Sequence, residues 1–191
     1  MEQKRTFRLL LAILAITLLL LPFVTTFSSA LTEIINNLGF YRLMQATLVP
    51  FESRLVVAII RLLGVPAYLA PTGEEVSFYL EKGTTIFPVQ LQWNCLGWQS
   101  LLFLILSLVV GLQGHFTNLS KLECIAIGFL GTFLVNIFRM VFITVGIYYI
   151  NTIFASLIHD YFAALTTIGW LMFFWYFSYA YVLEEKNSEK M

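Results

Sequence analysis

Three side chains far apart in the sequence have the types that acyl transfer needs: Cys95, Arg139 and His159. A cysteine thiol becomes a strong nucleophile when it loses its proton, and the positive end of a helix dipole favours that loss. A histidine can accept the proton and later return one to a leaving amine. An arginine stays protonated, so it can hold an anionic oxygen or a substrate carboxylate. Together these residues fit catalysis through a thioester.

The composition limits the kind of protein that carries these residues. Of the 191 residues, 59% are hydrophobic and only 12% are charged, whereas soluble domains contain about 25% charged residues. A soluble globular enzyme, a disordered chain and a disulfide-stapled module are therefore excluded. Eleven basic and eleven acidic side chains give zero net charge, so we expect no nucleic-acid partner.

The sequence predicts an all-α polytopic membrane protein, a single domain over 1–191. The first apolar run is too long for a signal peptide, and no good cleavage site follows it. Basic residues precede this run and place the N-terminus in the cytoplasm: Lys4, Arg5 and Arg8. An even number of spans then returns the C-terminus to the cytoplasm and leaves 28–94 as an external segment. The four predicted transmembrane helices are about 7–27, 97–115, 121–150 and 159–183.

Two smaller elements are predicted within the external segment. Residues 44–63 are apolar but include Arg54 and Arg61, so we interpret them as an amphipathic helix in the outer interface. If this helix crossed the membrane, everything after it would change sides. Residues 76–80 and 85–89 flank a Lys-Gly turn and predict a small β-hairpin, with Pro88 confined to an edge strand.

Residue positions along the predicted helices place the three reactive side chains at one depth in the membrane. Lys121 marks a cytoplasmic helix end, and Arg139 follows it by eighteen residues, or about 27 Å along a helix. Arg139 therefore lies near the outer edge of the hydrocarbon, where charge inside a span indicates function. Cys95 begins the second span and His159 begins the fourth at that same outer edge.

Three neighbouring residues are candidates for supporting roles. Asn136 lies one turn before Arg139 and shares its helix face, so it could orient the guanidinium. Asn94 precedes the cysteine, and Asp160 follows the histidine, where capping or a surface role is favoured. Cys124 lies near the cytoplasmic end and is interpreted as structural. No metal-ligand spacing or phosphate loop is present, so no cofactor is expected.

The order and spacing of these pieces resemble the exosortase/archaeosortase family of membrane cysteine transpeptidases. The matching segments are 94–97 (Asn-Cys-Leu-Gly) opening a span, 136–139 (Asn-Ile-Phe-Arg) inside the next and His159 at the start of the last. The resemblance covers roughly Leu55 to Trp175. It implies a catalytic Cys95 with Arg139 and His159 as its partners.

The resemblance also implies the substrates and the place of action. The partners are secreted proteins that carry a C-terminal motif, a transmembrane helix and a basic tail, and the acceptor is a lipid. Cleavage takes place at the outer face of the cell membrane. Small residues on spans three and four would let the substrate helix pack closely; these are Gly128, Gly131 and Gly169.

Two other functions stay open from the residues themselves. An intramembrane cysteine protease would use the same three side chains with water as the acceptor. A non-enzymatic scaffold or export subunit would use Arg139 only to assemble with a partner helix, and Cys95 would then be a packing thiol. Arg139 could also extend to the outer headgroups without any catalytic role.

Overall fold

The structure, a computed structural model, describes residue 33 and residues 39–71, 76–150 and 152–185. The chain divides into two units, Met1–Arg42 and Leu43–Met191. In the first unit only residues 33 and 39–42 are described, and they include the start of a short helix. The predicted first span, 7–27, lies outside the described residues.

The described chain is mostly helical, with one small sheet between its second and third helices. The elements are α1 (Phe40–Leu43), a π-helical turn (Met44–Leu48), α2 (Val49–Leu62), β1 (Ala67–Leu69), β2 (Phe78–Lys82), β3 (Thr85–Val89), a 3-10 turn (Trp93–Leu96), α3 (Trp98–Gly111), α4 (Asn118–Tyr149), α5 (Thr152–Phe177) and a second π-helical turn (Ser178–Val182).

Four helical segments within the described residues are long and apolar enough to cross a bilayer: Tyr41–Leu62, Trp93–Gly111, Asn118–Tyr149 and Phe162–Val182. The predicted fold class is thus confirmed, and the predicted spans 97–115 and 121–150 correspond to α3 and α4. Tyr41–Leu62 is the segment that the sequence assigned to the interface. Its length and composition also allow it to cross.

Helix α2 is formed by an apolar stripe between two clear end signals. Pro50 lies in its first turn, where its missing N–H leaves no helix hydrogen bond unmade. Gly64 follows the helix with a φ of 82° and donates to Arg61, while Val65 N–H donates to Ile60 O at 3.0 Å. These two bonds form a Schellman motif, which ends the helix and turns the chain toward the sheet.

The sheet contains the predicted hairpin and one further strand. β2 and β3 pair antiparallel from Phe78↔Val89 to Lys82↔Thr85, and β3 lies at an edge, which accommodates Pro88. The predicted hairpin is confirmed, and a third strand that the sequence analysis did not identify, Ala67–Leu69, pairs with β2 on its other side. This strand has only three residues and follows a proline, so its sequence shows too little alternation of polar and apolar residues to be recognised as a strand.

The sheet is attached to the C-terminal end of α4. Lys82 Nζ, at the tip of the hairpin, donates to Tyr148 O at 2.7 Å and lies over the Tyr148 ring. On the other side, Arg61 Nε donates to Ala67 O at 2.6 Å, which joins the end of α2 to β1. The sheet and α2 therefore frame the end of the helix bundle that contains Arg139.

Helices α3, α4 and α5 run alternately up and down. Between α4 and α5, Phe142 stacks on Phe162 with ring centroids 4.6 Å apart, and Trp170 Nε1 donates to Thr132 Oγ1 at 2.8 Å. Since later residues of α5 meet earlier residues of α4, the two helices are antiparallel.

Helix α3 packs against both partners. Ser100 Oγ lies 2.7 Å from Thr167 Oγ1 of α5, and Gly97 faces Asn136 of α4. At the opposite end of the three helices lies an apolar cluster that we call the Cys124 cluster. Its buried members are Leu104, Leu108, Cys124, Phe174 and Val182.

Candidate active site

The Cys95 side chain is presented by a tight turn rather than by a transmembrane helix. Cys95 lies in the 3-10 turn Trp93–Leu96, and its backbone N–H donates to Gln92 O at 2.8 Å. Gly97 follows with a φ of 69°, in the left-handed region, and α3 begins only at Trp98. Cys95 therefore lies in the turn that opens the candidate span Trp93–Gly111, and Gly97 redirects the chain between this turn and α3.

The thiol of Cys95 lies beside the imidazole of His159. The distance from Cys95 Sγ to His159 Nε2 is 3.7 Å, although 64 positions separate the two residues in sequence. Both side chains are half-buried. A thiol and an imidazole at this separation can exchange a proton directly, which is the first requirement for a cysteine nucleophile.

His159 lies two turns into α5, which starts at Thr152. The candidate span Phe162–Val182 lies within the predicted last span, 159–183, so His159 is close to the start of the span although not to the start of the helix. The sequence from 152 to 158 has a single serine as its only polar residue after Thr152, so nothing in it prevents the helix from starting before the span.

Arg139 reaches the cysteine turn from α4. Its Nη2 donates to the backbone oxygen of Cys95 at 2.7 Å, and the side chain is only 6% exposed. The guanidinium is therefore anchored on the residue that carries the thiol. The three side chains that the sequence predicted at one depth therefore lie close together: Cys95, Arg139 and His159.

Asn136 joins this arrangement through a residue that the sequence analysis did not select. Its Nδ2 donates to Glu52 Oε2 at 3.2 Å, and both side chains are 5% exposed. Asn136 thus contacts an acid on α2, in addition to sharing a helix face with Arg139.

Gly97 lets the cysteine turn approach α4 closely. A Cβ at Gly97 would lie 2.7 Å from Asn136 Cγ and Oδ1. Any side chain at this position would push the turn away from Asn136, and its φ of 69° would also be strained. The motif 94–97 therefore ends in glycine for two independent physical reasons.

Asn94 and Asp160 are the other two residues that the sequence predicted to support the site. Asn94 lies in the 3-10 turn with its side chain exposed. Asp160 lies in α5, but its side chain is outside the described residues. The contacts described for the Asn94 side chain include none with the thiol, the imidazole or the guanidinium.

Glu52 and Gln45 are the polar residues near the site that sequence analysis missed. Glu52 shares the apolar stripe of α2 with Val49, Val56 and Ile60, and an acid on such a stripe signals burial. Gln45 Oε1 accepts from Trp93 N–H at 2.9 Å, and its Nε2 donates to Leu91 O. Gln45 therefore fixes the chain just before the cysteine turn.

A cavity of about 230 Å³ adjoins the cysteine turn on the side of α2. Its polar lining includes Glu52 and Asn136, and most of the remaining wall is apolar. Within the described parts of the chain, no group of three His, Cys, Asp or Glu side chains could hold a metal ion.

Two of the glycines predicted to receive a substrate helix contact the chain's own helices instead. A Cβ at Gly128 would meet Leu104 and Phe174, and a Cβ at Gly131 would meet the Trp170 ring. The prediction for these two is wrong, because their missing side chains make room for α3 and α5. Gly169 alone of the three faces open space, with nothing within 4 Å.

Comparison with known proteins extends the resemblance over nearly the whole chain. The family model described as transmembrane exosortase (Exosortase_EpsH) matches residues 2–181. The chain belongs to this family. Neither the curated proteins nor the solved structures include a match to it.

Membership agrees with the architecture of this exosortase-family protein. The family is transmembrane, and the chain has four described helices that could cross a bilayer, so it is a multi-pass membrane protein. The match includes all three predicted site residues and Glu52, and it begins well before residue 55, where the sequence resemblance was thought to start. The family suggests a membrane cysteine peptidase or transpeptidase.

Proposed function

We propose that this exosortase-family protein is a membrane cysteine transpeptidase that cleaves a C-terminal sorting signal and transfers the new C-terminus to an acceptor. The observation that carries the proposal is the 3.7 Å separation of Cys95 Sγ and His159 Nε2. A thiol that merely packed in the core would need no imidazole beside it. The pairing is that of a nucleophile and its base.

The first half of the reaction forms a thioester. His159 takes the proton of the Cys95 thiol, and the sulfur attacks the scissile carbonyl to give a tetrahedral oxyanion. Collapse of the oxyanion breaks the C–N bond, and His159 gives its proton to the leaving amine. In the second half, His159 deprotonates the acceptor, which attacks the thioester and releases the Cys95 thiol.

Arg139 is the residue best suited to hold the oxyanion. The Cys95 backbone N–H, a common oxyanion donor, already donates to Gln92 O. Arg139 approaches the same residue with a permanent positive charge and several N–H groups. A charge held in a nearly dry site stabilises a developing oxyanion strongly.

The substrate class follows from the family resemblance and from the depth of the site. The substrates are secreted proteins with a C-terminal motif, a transmembrane helix and a basic tail, and the acceptor is a lipid. A site near one membrane boundary, between helices, suits a peptide bond at the end of a substrate helix. With the basic residues before the predicted first span in the cytoplasm and residues 44–63 in the interface, this boundary is the outer face of the cell membrane.

The test is co-expression with a precursor that has such a tail, followed by mass spectrometry of the processed product. We expect a product whose new C-terminus is linked to a lipid. A free C-terminus would instead identify a hydrolytic protease. If Cys95→Ser left processing intact while Arg139→Ala dissociated a complex, the protein would be a scaffold and the proposal would be wrong.

The proposed side of the membrane has its own test. A maleimide that cannot cross membranes is added to intact cells that produce the Cys124→Ala variant, so that Cys95 is the single thiol. We expect Cys95 to be labelled from outside. Labelling only after the cells are opened would assign the site to the cytoplasmic face, as expected if Tyr41–Leu62 crosses the membrane after a first span.

A further inference from the structure

The cavity beside the cysteine turn has the size of a single large side chain. Its volume is about 230 Å³, below the range of about 300–1,000 Å³ that is typical of sites for whole small molecules. Apolar side chains from α2, α3, α4 and the two turns form most of its wall; these are Met44, Leu48, Phe51, Leu96, Leu101 and Phe133. The cavity therefore favours an occupant with an apolar body.

Two buried polar atoms belong to residues that line this cavity and have no hydrogen-bond partner within the described part of the chain. They are Asn136 Oδ1, an acceptor, and Trp98 Nε1, a donor. The two residues are only 5% and 7% exposed. Because an unsatisfied buried donor or acceptor is costly, both atoms point to a ligand that pairs with them.

The free oxygen of Asn136 lies where the cavity meets the cysteine turn. Asn136 Nδ2 donates to Glu52 Oε2 at 3.2 Å, which determines the end of the carboxamide that is the oxygen. A Cβ at Gly97 would lie 2.7 Å from Asn136 Oδ1, and Gly97 itself lines the cavity. The free acceptor is thus beside a residue that follows Cys95 by two positions.

The free donor comes from the next residue along the chain. Trp98 is the first residue of α3, and its ring stacks on that of Trp93 with centroids 5.8 Å apart. This stacking holds the indole against the cysteine turn. A donor and an acceptor are therefore both available at the cavity, and a hydroxyl group can satisfy the two at once.

We propose that the cavity binds the side chain of the substrate residue whose carbonyl Cys95 attacks, and that this side chain is the phenol of a tyrosine. Its hydroxyl donates to Asn136 Oδ1 and accepts from Trp98 Nε1–H, while its ring packs on the apolar wall. This inference rests on the proposed function, to which it adds a preferred residue at the point of cleavage.

Other occupants match the cavity less well. A lipid tail or a phenylalanine would fill the apolar part but would leave both polar atoms unpaired. A serine could pair with one or both atoms but would not fill the volume. The position of the cavity also favours the residue that becomes bonded to the sulfur, because Leu96 and Gly97 directly follow Cys95 and line the cavity.

The first experiment varies one residue of a precursor that the full-length wild-type protein processes. Mass spectrometry of the product locates the cleaved bond, and the residue before it is changed to tyrosine, phenylalanine, leucine or alanine. We expect kcat/KM for tyrosine to exceed that for phenylalanine about 10- to 100-fold, because a site with polar groups for a hydroxyl rejects the analogue without one. Equal or faster processing of the phenylalanine precursor would overturn the proposal.

The second experiment removes the donor and keeps the aromatic ring. In Trp98→Phe, we expect the preference for tyrosine over phenylalanine to fall at least about fivefold, the factor typical of one neutral hydrogen bond. Trp175→Phe is the matched control, because Trp175 lies in the opposite part of the bundle, against Gly111. Trp175→Phe should keep the full preference; the same full preference in Trp98→Phe would disprove the role of the indole.

A third measurement needs no turnover and separates this inference from the proposed function. The unfolding temperature of the purified Cys95→Ala protein is measured with p-cresol, which is the tyrosine side chain, or with toluene, which is that of phenylalanine. We expect p-cresol to stabilise the protein more than toluene does, and Trp98→Phe to remove the difference. Equal stabilisation of the Cys95→Ala protein by both compounds would overturn the proposal and favour an apolar occupant such as a lipid tail.

A variant that fills the cavity shows where p-cresol binds. Leu101→Phe adds a ring to the wall contributed by α3, so it should abolish the stabilisation by p-cresol. Unchanged stabilisation of Leu101→Phe would place the compound elsewhere and would also overturn the proposal. If p-cresol binds as expected but no precursor is ever cleaved, the phenol site stands and the transpeptidase function is wrong.

Discussion

The two cysteines of this protein occupy opposite ends of the helix bundle, and their surroundings differ in kind. Cys95 is half-buried, with an imidazole 3.7 Å from its sulfur and an arginine on its carbonyl. Cys124 is fully buried within a cluster of leucine, phenylalanine and valine side chains. The same thiol therefore serves as a reactive group in one place and as a small apolar side chain in the other.

The two ends also differ in how their helices are held together. At the Cys95 end, two polar contacts join the elements: Asn136 of α4 donates to Glu52 of α2, and Arg139 of α4 donates to Cys95 O in the cysteine turn. At the Cys124 end, α3, α4 and α5 interlock through aromatic and aliphatic packing, with Phe174 against Gly128. The difference suggests that substitutions at the first end alter chemistry more than stability, and that the reverse holds at the second.

The largest expected effect comes from removing the imidazole. His159→Ala should reduce processing of a precursor about 10²- to 10⁴-fold, the range lost with a general acid and base, because the Cys95 thiol then has no proton acceptor beside it. Processing is measured by a pulse-chase assay in cells. The control is Leu108→Ala, in the Cys124 cluster. If this variant lost as much processing at an equal amount of folded protein, the proposed difference between the two ends of the bundle would be wrong.

A smaller but still specific loss is expected at the glycine of the cysteine turn. Gly97→Ala combines a strained positive φ, costing about 1–2 kcal/mol, with a contact 2.7 Å from the Asn136 carboxamide. We expect reduced stability and a larger fall in kcat, since the turn moves away from Asn136. Thermal unfolding and steady-state kinetics on the purified protein check this.

Gly146→Ala is the matched control for that substitution. Gly146 lies within α4, where a Cβ meets nothing within 4 Å, so alanine should stabilise the helix by about 0.5–1 kcal/mol. Its kinetics should equal those of the wild type. Equal losses in both glycine variants would show that the close approach of Gly97 to Asn136 has no catalytic importance.

The smallest effect on activity is expected at Cys124. Cys124→Ser buries a hydroxyl among apolar side chains, at a cost of about 1–3 kcal/mol, while the candidate site at the other end is untouched. The unfolding temperature should fall, and kcat per folded molecule should stay the same. A lower kcat without a lower unfolding temperature would mean that the two ends are coupled, contrary to the comparison above.

The sequence predicted that Cys95, Arg139 and His159 come together, partly because helix rise is nearly constant. Counting residues from Lys121 to Arg139 required only a continuous helix, and α4 is continuous from Asn118 to Tyr149. Cys95 and His159 were predicted beside Arg139 because each lies near the start of an apolar span. The helix that carries His159 starts earlier, at Thr152, because the residues before the span are apolar as well.

The contribution of α2 could not be predicted in the same way. Two arginines, Arg54 and Arg61, dominated its charge pattern and indicated an interfacial helix, so Glu52 was not considered as a buried partner of Asn136. Its pairing depends on how α2 packs against α4, which no local pattern specifies. Likewise, Gly128 and Gly131 indicated that another helix packs closely at these positions. Only the tertiary structure shows that this helix is the chain's own α3 or α5 rather than a substrate helix.

Trapping of the acyl intermediate is the most direct test of a catalytic Cys95. Membranes that contain the protein and a precursor are treated with hydroxylamine, which intercepts thioesters, and the product's new C-terminus is analysed by mass spectrometry. We predict a C-terminal hydroxamate with the wild type and with Cys124→Ala, and neither hydroxamate nor cleavage with Cys95→Ala. Normal cleavage by Cys95→Ala, at wild-type levels of inserted protein, would contradict the account.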